Sequence, residues 1–161
     1  MTEANLMAKL LDISNEKYKF LLQMKKIAEN QRGAIEKGNL NLLVDYIQER
    51  AEIIETINIL DLEFLTKFSH LKEVLGLLSI DEIDTSKYPM IIDLKSKISL
   101  ITNVLEEIKT IDDRNNHSFS SEFHELKSKM KSFNQNVKAN KSYGDKGYKN
   151  YSQGVFNDNK K

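Results

Sequence analysis

Apolar residues recur three or four positions apart along most of the chain, which is the period of amphipathic helices. In the first stretch they fall at Leu6, Leu10, Ile13, Phe20, Met24, Ile27 and Ile35. The tetrapeptide "EKGN" then supplies Gly38 for a left-handed C-terminal cap and Asn39 as an N-cap for the next helix. A helix over about 3–37 is expected to turn directly into a second, antiparallel one. That second helix, over about 39–79, carries Leu43, Ile47, Ile54, Ile57, Leu60, Phe64, Phe68, Leu71, Leu75 and Leu78 in its seam. At about 1.5 Å per residue it would be on the order of 60 Å long, more than a compact globule needs. "SIDEIDTSKYP" breaks the pattern, and Pro89 suits the first turn of a third helix, over about 87–140. The prediction is an all-α fold. Three long antiparallel helices form an elongated coiled-coil-like bundle over 1–140, and a flexible, disordered Tyr/Gly/Lys tail occupies 141–161.

The third helix changes character along its length. Ile91, Leu94, Ile98, Ile101, Leu105 and Ile108 form a heptad seam of aliphatic residues. "DDRNNHS" then supplies seven residues with nothing apolar, which makes 112–118 a candidate break, as a bend or a frayed segment. The stripe resumes at Phe119, Phe123, Leu126, Met130, Phe133 and Val137. Projecting the heptad forward places Glu122, not Phe123, at the next core position, so the apolar face is rotated. Ile and Leu specify a rigid core, whereas Met and Phe suit a surface that adapts to a partner. Two readings stay open on periodicity alone: the Phe/Met stripe packs on the first two helices, or it faces a partner.

Composition adds an asymmetry of charge. The net charge of the 161 residues is zero, yet residues 1–126 balance to −7 and residues 127–161 to +7. The basic end contains no Arg, the side chain best suited to bidentate phosphate and base contacts, and its Lys residues are dispersed. Nucleic acid is therefore not an expected partner. There is no Cys, hence neither a disulfide framework nor a thiolate metal site. The N-terminal stretch reads as a helix start and not a signal peptide, and no window is apolar enough to span a membrane. A cytoplasmic protein is the expectation.

Catalytic chemistry finds little purchase. "FHELKS" resembles the start of a zinc-protease helix, but Ser128 stands where the second His is required. His117 and His124 share a helical face without an evident third ligand, and the acids Glu106, Glu107, Asp112 and Asp113 fall on solvated faces. No phosphate-binding Gly-rich loop or nucleophile elbow is present, so no enzyme activity, cofactor or metal is expected. The tail "SYGDKGYKNYSQGVFNDNKK" holds Tyr143, Tyr148, Tyr151 and Phe156. Burying these few rings falls short of the entropy of fixing its backbone, so the tail should not order itself as a whole.

What remains is a binding protein of long helices. Here "AIEKGNLNLLVDYIQERAEIIETINILDLEF", Ala34 to Phe64, resembles the first-hairpin region of flagellar export chaperones of the FlgN type. The shared features are the Glu36-Lys37-Gly38 turn, Leu40 opening the next helix, the polar step Gln48-Glu49-Arg50, and the Ile-rich run ending in Leu60-Asp61. Asn115-Asn116 is similar to the Asn-containing turn before the family's client-binding helix, and a Tyr/Gly-rich tail closing in "GVFNDNKK" is similar to the family's C-terminal segment.

The resemblance implies a cytoplasmic chaperone of flagellar type III export. It would bind the C-terminal amphipathic helices of hook-associated (hook–filament junction) proteins and keep them export-competent. Phe119, Phe123, Leu126, Met130, Phe133 and Val137 become the expected client-binding stripe. Tyr148, Tyr151, Val155 and Phe156 become a docking peptide for the client or for components of the export apparatus. A monomer or weak homodimer is expected. FliT-type filament-cap chaperones share the early hairpin pattern, and a self-associating structural coiled coil without an exported client is a further alternative.

Overall fold

The computed structural model describes residues 2–137. Within its last helix the side chains of Leu126, Met130 and residues 133–137 lie outside the description. The described residues are helical, in three long elements: α1 (Glu3–Glu36), α2 (Leu40–Leu75) and α3 (Met90–Val137), with a short 3-10 turn at Ile80–Glu82.

Each boundary has a local cause. Thr2 Oγ1 accepts the Asn5 N–H at 3.2 Å and opens α1. Gly38 ends it at φ 65°, with the Asn39 N–H reaching the Ala34 carbonyl at 2.9 Å and the Gly38 N–H reaching that of Ile35 at 3.0 Å. That pair of bonds is a Schellman cap. Asn39 then turns its side chain to the next helix, its Oδ1 accepting the Leu42 N–H at 3.1 Å. Gly38 and Asn39 thus perform the two capping tasks expected of them.

The end of α2 departs from its expected place. Gly76 adopts φ 67° and the Leu77 N–H bonds the Lys72 carbonyl at 2.9 Å, so the helix stops at Leu75. Leu78, assigned to the seam by its spacing, lies beyond the helix and is 88% exposed. A Gly shortly before the apolar run ended was the overlooked signal. The connection to α3 is held by a capping box, in which Ser79 Oγ accepts the Asp81 N–H and Glu82 Oε2 accepts the Leu78 and Ser79 N–H groups.

The chain divides into two compact units. The first comprises Met1–Lys26 and Arg50–Lys109. Its core is aliphatic: Leu6, Met7 and Leu10 meet Leu71, Ile91 and Leu94, while Leu21 and Met24 meet Ile57, Ile101, Val104 and Ile108. These pairings run α2 antiparallel to both α1 and α3 within this unit. Because α1 faces two helices here, it buries neighbours that a single stripe leaves out, such as Met7 beside Leu6 and Ser14 beside Ile13. Ion pairs lie at the margin, Lys17 to Asp61 at 2.6 Å and Lys25 to Glu107.

The expected heptad on α3 needs one correction. Leu94, Ile101 and Ile108 are buried at seven-residue intervals, but Val104 is 5% exposed whereas Leu105 is 43% exposed. A helix of 3.6 residues per turn drifts by about 20° per heptad, which carries the buried line from one neighbour to the next.

The second unit comprises Ile27–Glu49 and the chain from Thr110 onward. Its described core is small, built from Ala34, Ile35, Leu43 and Phe119, with Leu40, Val44 and Ile47 packed around them. The polar run "DDRNNHS" is helical throughout, so α3 shows neither the break at 112–118 nor a turn at Asn115-Asn116. Asn115 continues the buried seven-residue line of Leu94, Ile101 and Ile108, and its Nδ2 donates to the Ala28 carbonyl at 2.8 Å. The bond satisfies the Nδ2 donor of this buried side chain, while its Oδ1 is buried without a hydrogen-bond partner among the described residues.

Candidate functional site

The second unit contains a groove of about 310 Å³. One wall is the α1–α2 turn, through Ala34, Ile35, Gly38, Leu40 and Leu43; the other is α3, through Phe119, Glu122, Phe123, Glu125 and Lys129. The capping geometry described above makes the first wall. Because Gly38 takes a left-handed conformation, α1 ends abruptly and Leu40 begins α2 two residues later. Apolar side chains from both helix ends therefore line one side.

The second wall reflects the helical period. Phe119 is 8% exposed and belongs to the core, packed with Ala34, Ile35 and Leu43. One turn later Phe123 is only half-buried and lines the groove, its ring stacked on that of Phe119 with centroids 6.3 Å apart. The rotation of the apolar face anticipated at Glu122 and Phe123 is thus expressed as two side-by-side lining residues. Glu125 and Lys129 pair at 3.4 Å across one turn, and both are well exposed. The lining is an apolar floor with acid and base at its rim, a form suited to seating an apolar side chain and orienting charges around it.

Beneath this floor lies a polar layer. Gln31 and Asn115 are buried, and a cavity of about 10 Å³ touches both, together with Asp112, Asn116, Ile35 and Leu43. Sequence reasoning took the polar run for an interruption and missed this layer. The signal was present in the seven-residue spacing that joins Ile108 to Asn115.

Of the six residues expected to form the stripe, Phe119 and Phe123 are placed at the groove. For Leu126, Met130, Phe133 and Val137 the backbone continues α3, and their side chains lie outside the description. Tyr148, Tyr151, Val155 and Phe156 lie outside the described residues. The groove also recruits residues that sequence reasoning did not assign to a site, Ala34, Leu40 and Leu43 among them, because a turn between two helices carries no periodicity that points at a third.

His70, His117 and His124 are exposed, and among the described residues no cluster of three metal-ligating side chains occurs. Among the same residues no helix is long and apolar enough to cross a membrane.

Comparison with curated proteins and with solved structures gave no match in either set. A family model described as FlgN protein matches residues 1–150, nearly the whole chain and both walls of the groove. The chain therefore belongs to the FlgN family and is a flagellar export chaperone.

Proposed function

We propose that the groove of the second unit receives the C-terminal amphipathic helix of a hook-associated protein and keeps that subunit export-competent in the cytoplasm. The observation that carries this reading is the half-buried Phe123, stacked on a core Phe and facing an open apolar groove. Stacking on that buried neighbour holds the Phe123 ring in the groove wall. A helix lying in such a groove is read through anchors at i, i+3, i+4 and i+7. The client-binding stripe is then Phe119, Phe123, Leu126, Met130, Phe133 and Val137, with Phe119 as its fixed inner end. Met and Phe accommodate the varied side chains of different client helices. A monomer or weak homodimer is the working form, and Tyr148, Tyr151, Val155 and Phe156 form a docking peptide toward the client or the export apparatus.

The test is the double substitution Phe123→Asp with Met130→Asp, assayed for capture of a co-expressed hook–filament junction subunit. Loss of capture with an unchanged helical unfolding transition is the expected result. Unfolding of the free double variant would mean that the stripe is core, and retained capture would place the client elsewhere.

A further inference from the structure

Among the described residues, one face of α2 in the first unit is left uncovered. Ile59, Leu62 and Leu65 are 65%, 67% and 60% exposed, although large aliphatic side chains seldom cluster in water without a use. Their spacing of three places them on one side of the helix as neighbours, one turn apart. Thr66 extends the strip: its hydroxyl is turned back to the Leu62 carbonyl at 2.9 Å, which leaves its methyl group as the outward feature.

Within this strip the formal charge has one sign, with Arg50 and Lys67 bounding it on either side. From Ala51 to Thr66 there are four acids and no Lys or Arg. Asp61 is paired with Lys17, whereas Glu52, Glu55 and Glu63 are exposed and fall within one or two turns of Ile59 on the same side. Hydrophobic strip and acidic flanks together define the occupant. A second copy docking through this face would set the glutamates of both chains against each other. An anionic lipid surface would be repelled by them. A helix with an apolar stripe flanked by Lys or Arg gains both from burial and from charge pairing at the rim.

We infer that the outer face of α2, centred on Ile59, Leu62 and Leu65, is a second docking surface, for a basic amphipathic helix of a protein partner. It lies in a different unit from the groove and does not depend on what the groove binds. A chaperone that holds its client at one surface can be engaged by a further protein at the other, without competition for the same side chains.

The probe is a fluorescent synthetic peptide of about 20 residues, long enough to form a helix, with Leu at i, i+3, i+4 and i+7 spacing and Lys elsewhere. Its partner control carries Glu in place of every Lys. The full chain should bind the Lys peptide about tenfold or more tightly than the Glu peptide by fluorescence anisotropy. Changing Ile59, Leu62 and Leu65 together to Ser should weaken Lys-peptide binding about tenfold or more, while helical content and thermal midpoint stay near those of the parent. A second variant, Glu52→Lys with Glu55→Lys and Glu63→Lys, keeps the apolar strip and should reverse the preference toward the Glu peptide. Equal binding of both peptides, or parent-like binding by either variant, overturns the proposal. So does tighter Lys-peptide binding when Lys138, Lys141, Lys146 and Lys149 are changed to Gln, because the occupant would then be this chain's own basic segment.

Discussion

The two units draw on the same three helices and put them to opposite uses. In the first, α3 presents Leu94, Ile101, Val104 and Ile108, all buried against aliphatic side chains of α1 and α2. In the second, the same line continues as Asn115 and Phe119, and the face one turn further on opens as a groove at Phe123. A close-packed aliphatic core resists change in volume, whereas the described part of the second core combines buried polar side chains with an aromatic groove wall. Stability is expected to reside in the first unit and client recognition in the second.

The largest effect should separate the two at once. Leu94→Ala removes a fully buried side chain from the first unit and should cost about 2–5 kcal/mol in urea unfolding. Phe123→Asp should have the reverse profile. Placing a carboxylate on the apolar lining should weaken client binding by about tenfold or more, equivalent to about 1.4 kcal/mol or greater. Its effect on the unfolding midpoint should be small, since Phe123 is only half-buried. If calorimetric titration and urea unfolding found the two profiles exchanged, the division of labour would be wrong.

Smaller effects sharpen the contrast. Asn115→Ala removes the donor to the Ala28 carbonyl and opens space beside Gln31, and should cost about 1–3 kcal/mol. Replacing Asn115 by Leu tests what the polar layer is for. A more stable chain with weakened client binding would show that the layer sets the groove's form at the expense of stability. Gly38→Ala forces a side chain into a left-handed conformation and should cost about 1–2 kcal/mol, although nothing lies within 4 Å of the new methyl. Weakest of all, Lys17→Met breaks a surface ion pair with Asp61 and should change stability by less than about 1 kcal/mol.

Much of this was legible in the residues. Period and capping signals define three long helices, and Gly38 with Asn39 place the first turn to the residue. Less legible was the end of α2, where the apolar spacing carries on through Leu77 and Leu78 although Gly76 has already stopped the helix. The polar run in α3 misled for a related reason. Periodicity counts apolar residues, so a buried Asn that meets a backbone carbonyl reads as a gap. Leu105 and Val104 exchanged places because a heptad is only an approximation to the helical turn. The groove was half-visible: Phe119 and Phe123 stand out in the sequence, but Ala34, Leu40 and Leu43 join them only through a tertiary approach that no local pattern encodes.

Client contact at the second unit is open to direct test by photo-crosslinking. A benzoylphenylalanine placed at Phe123 is compared with one at Ile92, an exposed aliphatic position on α3 within the first unit. Each full-length variant is co-expressed with a hook–filament junction subunit and irradiated, and the adducts are mapped by mass spectrometry. Adducts from position 123 to the subunit's C-terminal helix, with none from position 92, are the predicted result. Adducts from position 92 alone would contradict it.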